Sequence, residues 1–300
     1  MANETLLLDL DGDQPGVVVR IPPLESTFLD YDLAPQVLVQ NAVAAAGVPA
    51  PSPAVLVDDP QWIGTAFLVM PRVEGRIPGP APDFDKWING MAAENQRSMH
   101  DGLIDTLVGV HGIAWADYGL GAVLAQRSLE QTLDYWTNYV EWAGQGDPLP
   151  SLVAALQWCR VQPPPEPGER GAVLLWGDVR LGNLVLDEAF GVHAVLDWDL
   201  AGLGPPEMDL GWYFGLDFMM ERLFSRRVPG FPTREEALAR YEAHSGHVVS
   251  HLDWHEVFAL VRALAINDRH QRIAGSTRGG EDPMGAVLLA RMEAADRGSG

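Results

Sequence analysis

The chain of 300 residues has one cysteine, Cys159, and one lysine, Lys86. A single cysteine excludes an intrachain disulfide and fits a reducing compartment; its plain role is that of a small apolar residue on a helix. Basic residues are scarce as well, 20 against 41 acidic, for a net charge of −21. Such a surface repels nucleic acid and anionic membranes, so neither is expected as a partner. It suits a cationic ligand or plain solubility. No apolar run approaches the length that crosses a bilayer. The start, MANETLLLDLDGD, lacks the basic segment and apolar stretch of a secretory leader. A cytoplasmic location is the expectation.

What remains is ordinary globular composition, 47% apolar and 20% charged, in a length that suits one large or two modest domains. Leu6–Leu10 and Val17–Ile21 read as strands around the turn Asp11-Gly12-Asp13. Asp9, Asp11 and Asp13 have the spacing that starts a calcium loop. Its final Glu would fall at Arg20, which excludes calcium and leaves the turn. Gln36–Ala46 reads as a helix stopped at Gly47-Val48-Pro49, and Ala54–Val57 and Ala66–Met70 as further strands.

From Arg76 the pattern changes. Gly79-Pro80-Ala81-Pro82 reads as loop. Met99, Leu103, Leu107 and Val110 recur at helical spacing. Ser128–Ala143 is a helix with Ser128 as N-cap, Ser151–Val161 another, and Pro163–Gly168 a proline-rich loop. Ala172–Leu175, Leu184–Leu186 and Val192–Leu196 are short strands, the last two joined by a turn at Glu188–Gly191. Thr233 and Glu236 make a capping box for a helix through Tyr241, and Trp254–Ile266 is the last strong helix. The division is therefore residues 1–74, a sheet-rich part ending in a connector, and residues 75–300, mainly helical with an inset hairpin.

The chemistry concentrates in Leu174-Leu-Trp-Gly-Asp178-Val-Arg-Leu-Gly-Asn183 and Val195-Leu-Asp197-Trp-Asp199. Asp178 leaves a strand after Gly177, Asn183 follows five residues on, and Asp197 ends the second hairpin strand. This is the D-x-x-x-x-N…D spacing of kinases. Phosphoryl transfer needs a carboxylate beside the attacking hydroxyl and hard oxygens for Mg²⁺ on the nucleotide phosphates. A loop carrying base and amide, then a hairpin returning a carboxylate, gathers all three around one phosphate. A lone D-x-x-x-x-N is a weak signal, since Asp and Asn are common turn residues; the intervening hairpin and Gly177 make it specific.

Trp176-Gly-Asp-Val-Arg-Leu-Gly-Asn-Leu, Val195-Leu-Asp-Trp-Asp-Leu-Ala and Gly204-Pro-Pro-Glu-Met-Asp-Leu-Gly-Trp resemble the aminoglycoside phosphotransferase and choline kinase superfamily. The R-L-G-N-L version is most similar to the branch associated with acyl-CoA dehydrogenases. The resemblance covers nearly the whole chain. It implies an α+β, protein-kinase-like fold of two lobes, with ATP in the cleft between them. It also implies Asp178 as catalytic base, Asn183 and Asp197 as Mg²⁺ ligands, and Asp209 as a buried carboxylate holding the catalytic loop. Asp199 becomes an auxiliary metal or substrate contact. Phe67-Leu-Val-Met70-Pro-Arg72-Val-Glu-Gly75 resembles the connector whose backbone meets the adenine, and Leu107-Val-Gly-Val-His111 a helix under the catalytic loop.

The departures are specific. Trp176 stands where the family often has His. Arg20 replaces the phosphate-holding lysine, as it does in the resembling branch, offering a fork in place of a point charge. Its helix partner, usually Glu, falls at Gln36. Asn3-Glu-Thr-Leu resembles the exit of the phosphate-covering glycine loop, most of which would precede Met1. The expected function is ATP-Mg²⁺-dependent transfer to a hydroxyl of a small molecule, with a hydroxyacyl compound favoured as acceptor. The alternatives are an aminoglycoside kinase and a nucleotide-binding pseudokinase.

His244, His247, His251 and His255 suggest a metal site, which would make a third reading. Ser245-Gly246 interrupts them and Asp253 is a natural helix cap, so the first three are expected in a loop. His111, on an apolar helix face, reads as a satisfied core histidine.

Overall fold

Val17-Val-Val-Arg-Ile concentrates β-branched residues, which favour a pleated surface packed on both edges. In the computed structural model these residues form an inner strand. The strands β1 (Glu4–Leu8), β2 (Val17–Ile21), β3 (Val55–Val57) and β4 (Phe67–Pro71) make one antiparallel sheet in the order β1-β2-β4-β3. The structure describes residues 4–12, 15–79, 83–165, 171–225, 227–276 and 282–298. Asn3 of the expected loop exit, Asp13 of the turn, Pro80 to Pro82 and the stretch 166–168 lie outside the described residues; Glu4, Thr5 and Leu6 already belong to β1.

Helix α1 (Leu33–Ala45) starts three residues before the expected position, because the Asp32 side chain accepts from the Ala34 N–H and sets the boundary. Leu33 packs with Ala54, Leu68 and Met70 under the sheet. Val39 and Val43, fully buried, join the main core with Leu107 and Val110. One helix thus ties the sheet to the rest of the molecule.

The chain crosses over at Arg76, whose N–H and C=O exchange hydrogen bonds with Leu186 at 2.8 Å each. Then follow α2 (Asp83–Asn89), α3 (Ala93–His111), α4 (Leu129–Ala143) and α5 (Pro150–Val161). Met99, Leu103, Leu107 and Val110 are all fully buried, as their spacing requires. Ser128 and Gln131 close a capping box on α4. Strand β5 (Val173–Leu175) leads into the loop before the hairpin of β6 (Leu184–Leu186) and β7 (Val192–Val195), and β8 (Gly202–Gly204) returns to pair with β5. Four helices finish the chain, α6 (Glu207–Phe224), α7 (Arg234–Ser245), α8 (Leu252–Ile273) and α9 (Pro283–Gly298).

One helix was not expected and two expectations are corrected. Helix α6 has no apolar stripe to detect, since Asp209 through Gly215 are buried without a break; a helix buried all round loses the 3.6-residue signal. Helix α8 begins at Leu252 behind His251, which adopts a left-handed conformation at φ 52°, while Asp253 lies in the first turn and pairs with Arg234 and Arg291. It is followed by α9, so it is not the last helix. Glycine decides how α6 meets α8: a Cβ on Gly211 would lie 2.6 Å from the His255 backbone, and on Gly215 3.0 Å from the Glu256 carbonyl.

Candidate active site

The loop between β5 and β6 is held from below by Asp209. In the first turn of α6, Asp209 is 1% exposed. One carboxylate oxygen accepts the Trp176 N–H at 2.7 Å and the other the Gly177 N–H at 2.9 Å. His111 from α3 lies 3.1 Å from Asp209 through Nε2 and 2.7 Å from the Tyr241 hydroxyl through Nδ1. Both nitrogens of this buried imidazole are thus satisfied. Gly177 sits at φ 89° with Leu200 O only 2.1 Å from where a Cβ would be, so no other residue fits.

Next in the chain, Asp178 emerges with both carboxylate oxygens occupied. Trp212 Nε1 donates to Oδ1 at 3.0 Å, and Asn183 Nδ2 donates to Oδ2 at 2.8 Å. Arg180 Nε also reaches Oδ2, at 2.9 Å. Asn183 spends its amide nitrogen on Asp178, which leaves its amide oxygen as the atom for a cation. Beyond β7, Asp197 takes a left-handed conformation at φ 63°, uncommon for a residue with a Cβ. Such a backbone persists only where neighbours over-determine it, and it recurs at working sites.

Arg20 on β2 reaches this centre from the sheet. Its Nη2 is 3.1 Å from Asp199 Oδ1 and 3.5 Å from Asp197 Oδ1. Burial pulls its pKa down, but Asp199 and then Asp197 outweigh that, so the guanidinium is held more firmly protonated than usual. Arg20, Asp178, Arg180, Asp197, Asp199 and Trp212 line one cavity of about 340 Å³.

Other expected residues stand elsewhere. Gln36 makes no hydrogen bond to Arg20; its Nε2 reaches Asp32 O at 3.4 Å and its Oε1 is buried without a partner. Met70 turns into the core under the sheet, where Gln40 Nε2 lies 3.3 Å from its sulfur. Arg72 binds Asp9 at 3.1 Å and Glu74 at 3.5 Å, pinning the first hairpin to the connector. Trp176, in place of the family's His, donates from Nε1 to Leu196 O at 2.9 Å and so fastens the loop to the hairpin. The histidines separate. His244 lies within α7, not in a loop, and pairs with Asp105, while His247 pairs with Glu207. Among the described residues no group of three His, Cys, Asp or Glu side chains could hold a metal.

Trp212 and Arg180 carry contacts that the sequence reading did not assign. For Trp212 the signal was present: it follows Asp209 by three residues, the same face of one helix turn, but α6 itself had to be recognised first.

A small antiparallel sheet with one helix, set on a mainly helical part that carries this loop and hairpin, is a protein-kinase-like fold. The model of the phosphotransferase enzyme family APH matches residues 2–258. The chain belongs to that family. It is 28% identical over 273 residues to acyl-CoA dehydrogenase family member 11 of Pongo abelii, a match covering 86% of this chain and 33% of the relative. Human acyl-CoA dehydrogenase family member 11 is likewise 28% identical, over 257 residues, with 80% and 31% covered. The chain spans about a third of the length of these relatives. In fold it is similar to a Ralstonia eutropha protein provisionally named an aminoglycoside phosphotransferase, with TM-score 0.72, 19% identity, and 98% and 94% of the two chains covered. It is also similar to a thermostable mutant of aminoglycoside phosphotransferase APH(4)-Ia in ternary complex with ADP and hygromycin B. There the TM-score is 0.62 and the identity 14%, with 99% and 95% covered. Among the described residues no helix is long and apolar enough to cross a membrane.

Proposed function

We propose that the chain transfers the γ-phosphate of ATP, with Mg²⁺, to a hydroxyl of a small molecule, with Asp178 as the general base. The observation that carries this reading is the convergence of Asp178, Asp197 and Arg20 on one cavity, with Asn183 hydrogen-bonded to Asp178. Asp178 is oriented from both sides, so its carboxylate is pre-organised to accept a hydroxyl proton. The donor set fits Mg²⁺, which takes hard oxygens: the free amide oxygen of Asn183 and the carboxylate of Asp197 would hold it, and it would neutralise charge on the phosphates. Arg20 supplies a fork for phosphate oxygens. The connector around Met70 and Arg72 would offer the adenine its backbone.

An apolar groove supports a hydroxyacyl acceptor. Ile77, Val179, Leu181, Leu216, Met220 and Phe231 line about 570 Å³ beside Arg180, and Asp217 is the one carboxylate in that described lining. A polycationic aminoglycoside calls for several acids there. The similarity to acyl-CoA dehydrogenase family members points the same way. The pseudokinase alternative draws on one observation, that Gln36 does not engage Arg20. A transfer screen with ATP-Mg²⁺ across hydroxyacyl compounds, choline-like amines and aminoglycosides separates the readings. Transfer to a hydroxyacyl compound is the expected result. Saturable phosphorylation of aminoglycosides with none of hydroxyacyl compounds would overturn the acceptor, and ATP binding with no transfer to any acceptor would favour the pseudokinase.

A further inference from the structure

Helix α8 carries Arg262 into the interior, where it is 5% exposed. Its guanidinium lies against two indoles, 4.8 Å from the Trp212 ring centroid and 5.3 Å from that of Trp136. No hydrogen bond or ion pair joins it to any described residue, and its Nε is buried without a partner. A guanidinium removed from water without an anion is strongly disfavoured. The nearest acids do not relieve it. Asp209 gives its oxygens to Trp176, Gly177 and His111, and Asp178 gives its own to Trp212, Asn183 and Arg180. Burial outweighs the attraction of Asp209 and Asp178 and pushes Arg262 down to about 10.

The same side chain lines a cavity of about 280 Å³ between α1, α4 and the β8 strand. Gln36, on the α1 wall, is 6% exposed, and its Oε1 is the buried acceptor without a partner. Three unsatisfied groups therefore border one space: the cationic donor of Arg262 on α8, the indole N–H of Trp198, and the neutral acceptor of Gln36 on α1. Unsatisfied buried polar groups are rare enough in native interiors that each asks for an explanation. One ligand answers all three if it carries a negative group with two acceptor oxygens and an O–H or N–H. Four carboxylates, Asp30, Asp32, Asp199 and Asp209, line the cavity against two cations, Arg127 and Arg262, so its charge disfavours a multiply charged anion such as phosphate. The charge therefore has to be single.

We propose that this cavity binds a small monocarboxylate bearing a hydroxyl or amino group, the carboxylate on Arg262 and the donor on Gln36. The site needs neither nucleotide nor acceptor, so it stands or falls independently of the transfer reaction.

The test titrates the whole chain, without ATP or metal, with gluconate, L-serine, butyrate and inorganic phosphate. Calorimetry reads the affinity, and tryptophan fluorescence reads the indoles of Trp136 and Trp212 that flank Arg262. Saturable binding of gluconate or L-serine is expected, at least about tenfold tighter than butyrate, which lacks the donor. Arg262→Met replaces a buried charge by an apolar side chain, a change that interiors tolerate; it should weaken the carboxylate by at least about tenfold. Gln36→Leu should erase the preference over butyrate, and it serves as the test if Arg262→Met fails to fold. The proposal is overturned by no saturable binding of gluconate or L-serine, by equal affinity in Arg262→Met, by an undiminished preference in Gln36→Leu, or by phosphate binding as tightly as the carboxylates.

Discussion

Trp212 donates its indole N–H to Asp178 at 3.0 Å, linking the buried helix α6 to the loop that carries the proposed base. Trp212→Phe keeps most of the volume and removes only the donor. A hydrogen bond to a charged group is worth roughly 1.5–3 kcal/mol. The expected result is a kcat roughly 10–100-fold lower with the KM for ATP little changed. An unchanged kcat would mean that Asn183 and Arg180 orient Asp178 without help.

The cation and phosphate contacts separate by ligand. Asn183→Ala and Asp197→Ala should each weaken nucleotide binding with Mg²⁺ more than without it. Arg20→Ala should weaken ATP far more than adenosine, because adenosine lacks the charge the fork recognises. Calorimetric titrations check both. Equal losses across the paired conditions would assign these residues to folding alone.

Asp209 is a stability element as well as a brace. Its carboxylate is buried and accepts two backbone N–H groups beside His111. Asp209→Ala leaves those donors unsatisfied and should cost on the order of 3 kcal/mol. Urea unfolding with an unchanged slope and a lowered midpoint would bear this out. A midpoint within error of the parent chain would contradict it.

Much of this was legible from residues three or four apart. Ser128 as an N-cap and Thr233 with Glu236 as a capping box mark helix starts that the structure reproduces, with Gln131 completing a capping box at Ser128. The apolar spacing of Met99, Leu103, Leu107 and Val110 gives α3, and Leu184–Leu186 falls where β6 does. What local pattern could not reveal depends on burial from all sides or on distant partners. Helix α6 has no polar face over Asp209–Gly215, and β8 is three residues long, paired with a strand 27 or more positions earlier. Arg20 meeting Asp197 and Asp199, and Gln36 standing apart from Arg20, are consequences of how the sheet seats on the helical part.

Acid should destabilise the fold through two buried imidazoles. Burial pushes His100 and His255 down to about 4. Unfolded, each binds a proton near pH 6.5; folded, each stays neutral until about pH 4. The unfolded state therefore binds more protons in this window. Stability is fully present above about pH 6.5 and falls toward about pH 4, by about 2 kcal/mol per histidine at about pH 5. His100→Phe, between the rings of Tyr213 and Phe231, should reduce the drop measured by urea unfolding between neutral and acid buffer. An undiminished drop would show that His100 titrates freely in the fold.

In the proposed reaction Asp178 accepts a proton as phosphate is transferred to a hydroxyl. Asp178→Asn keeps the size of the side chain while abolishing its basicity. With any acceptor found in the screen, ATP-Mg²⁺-dependent turnover should fall by about 10²–10⁴-fold, while the unfolding midpoint and ATP affinity stay near those of the parent chain. Parent-level turnover in Asp178→Asn would rule out Asp178 as the base.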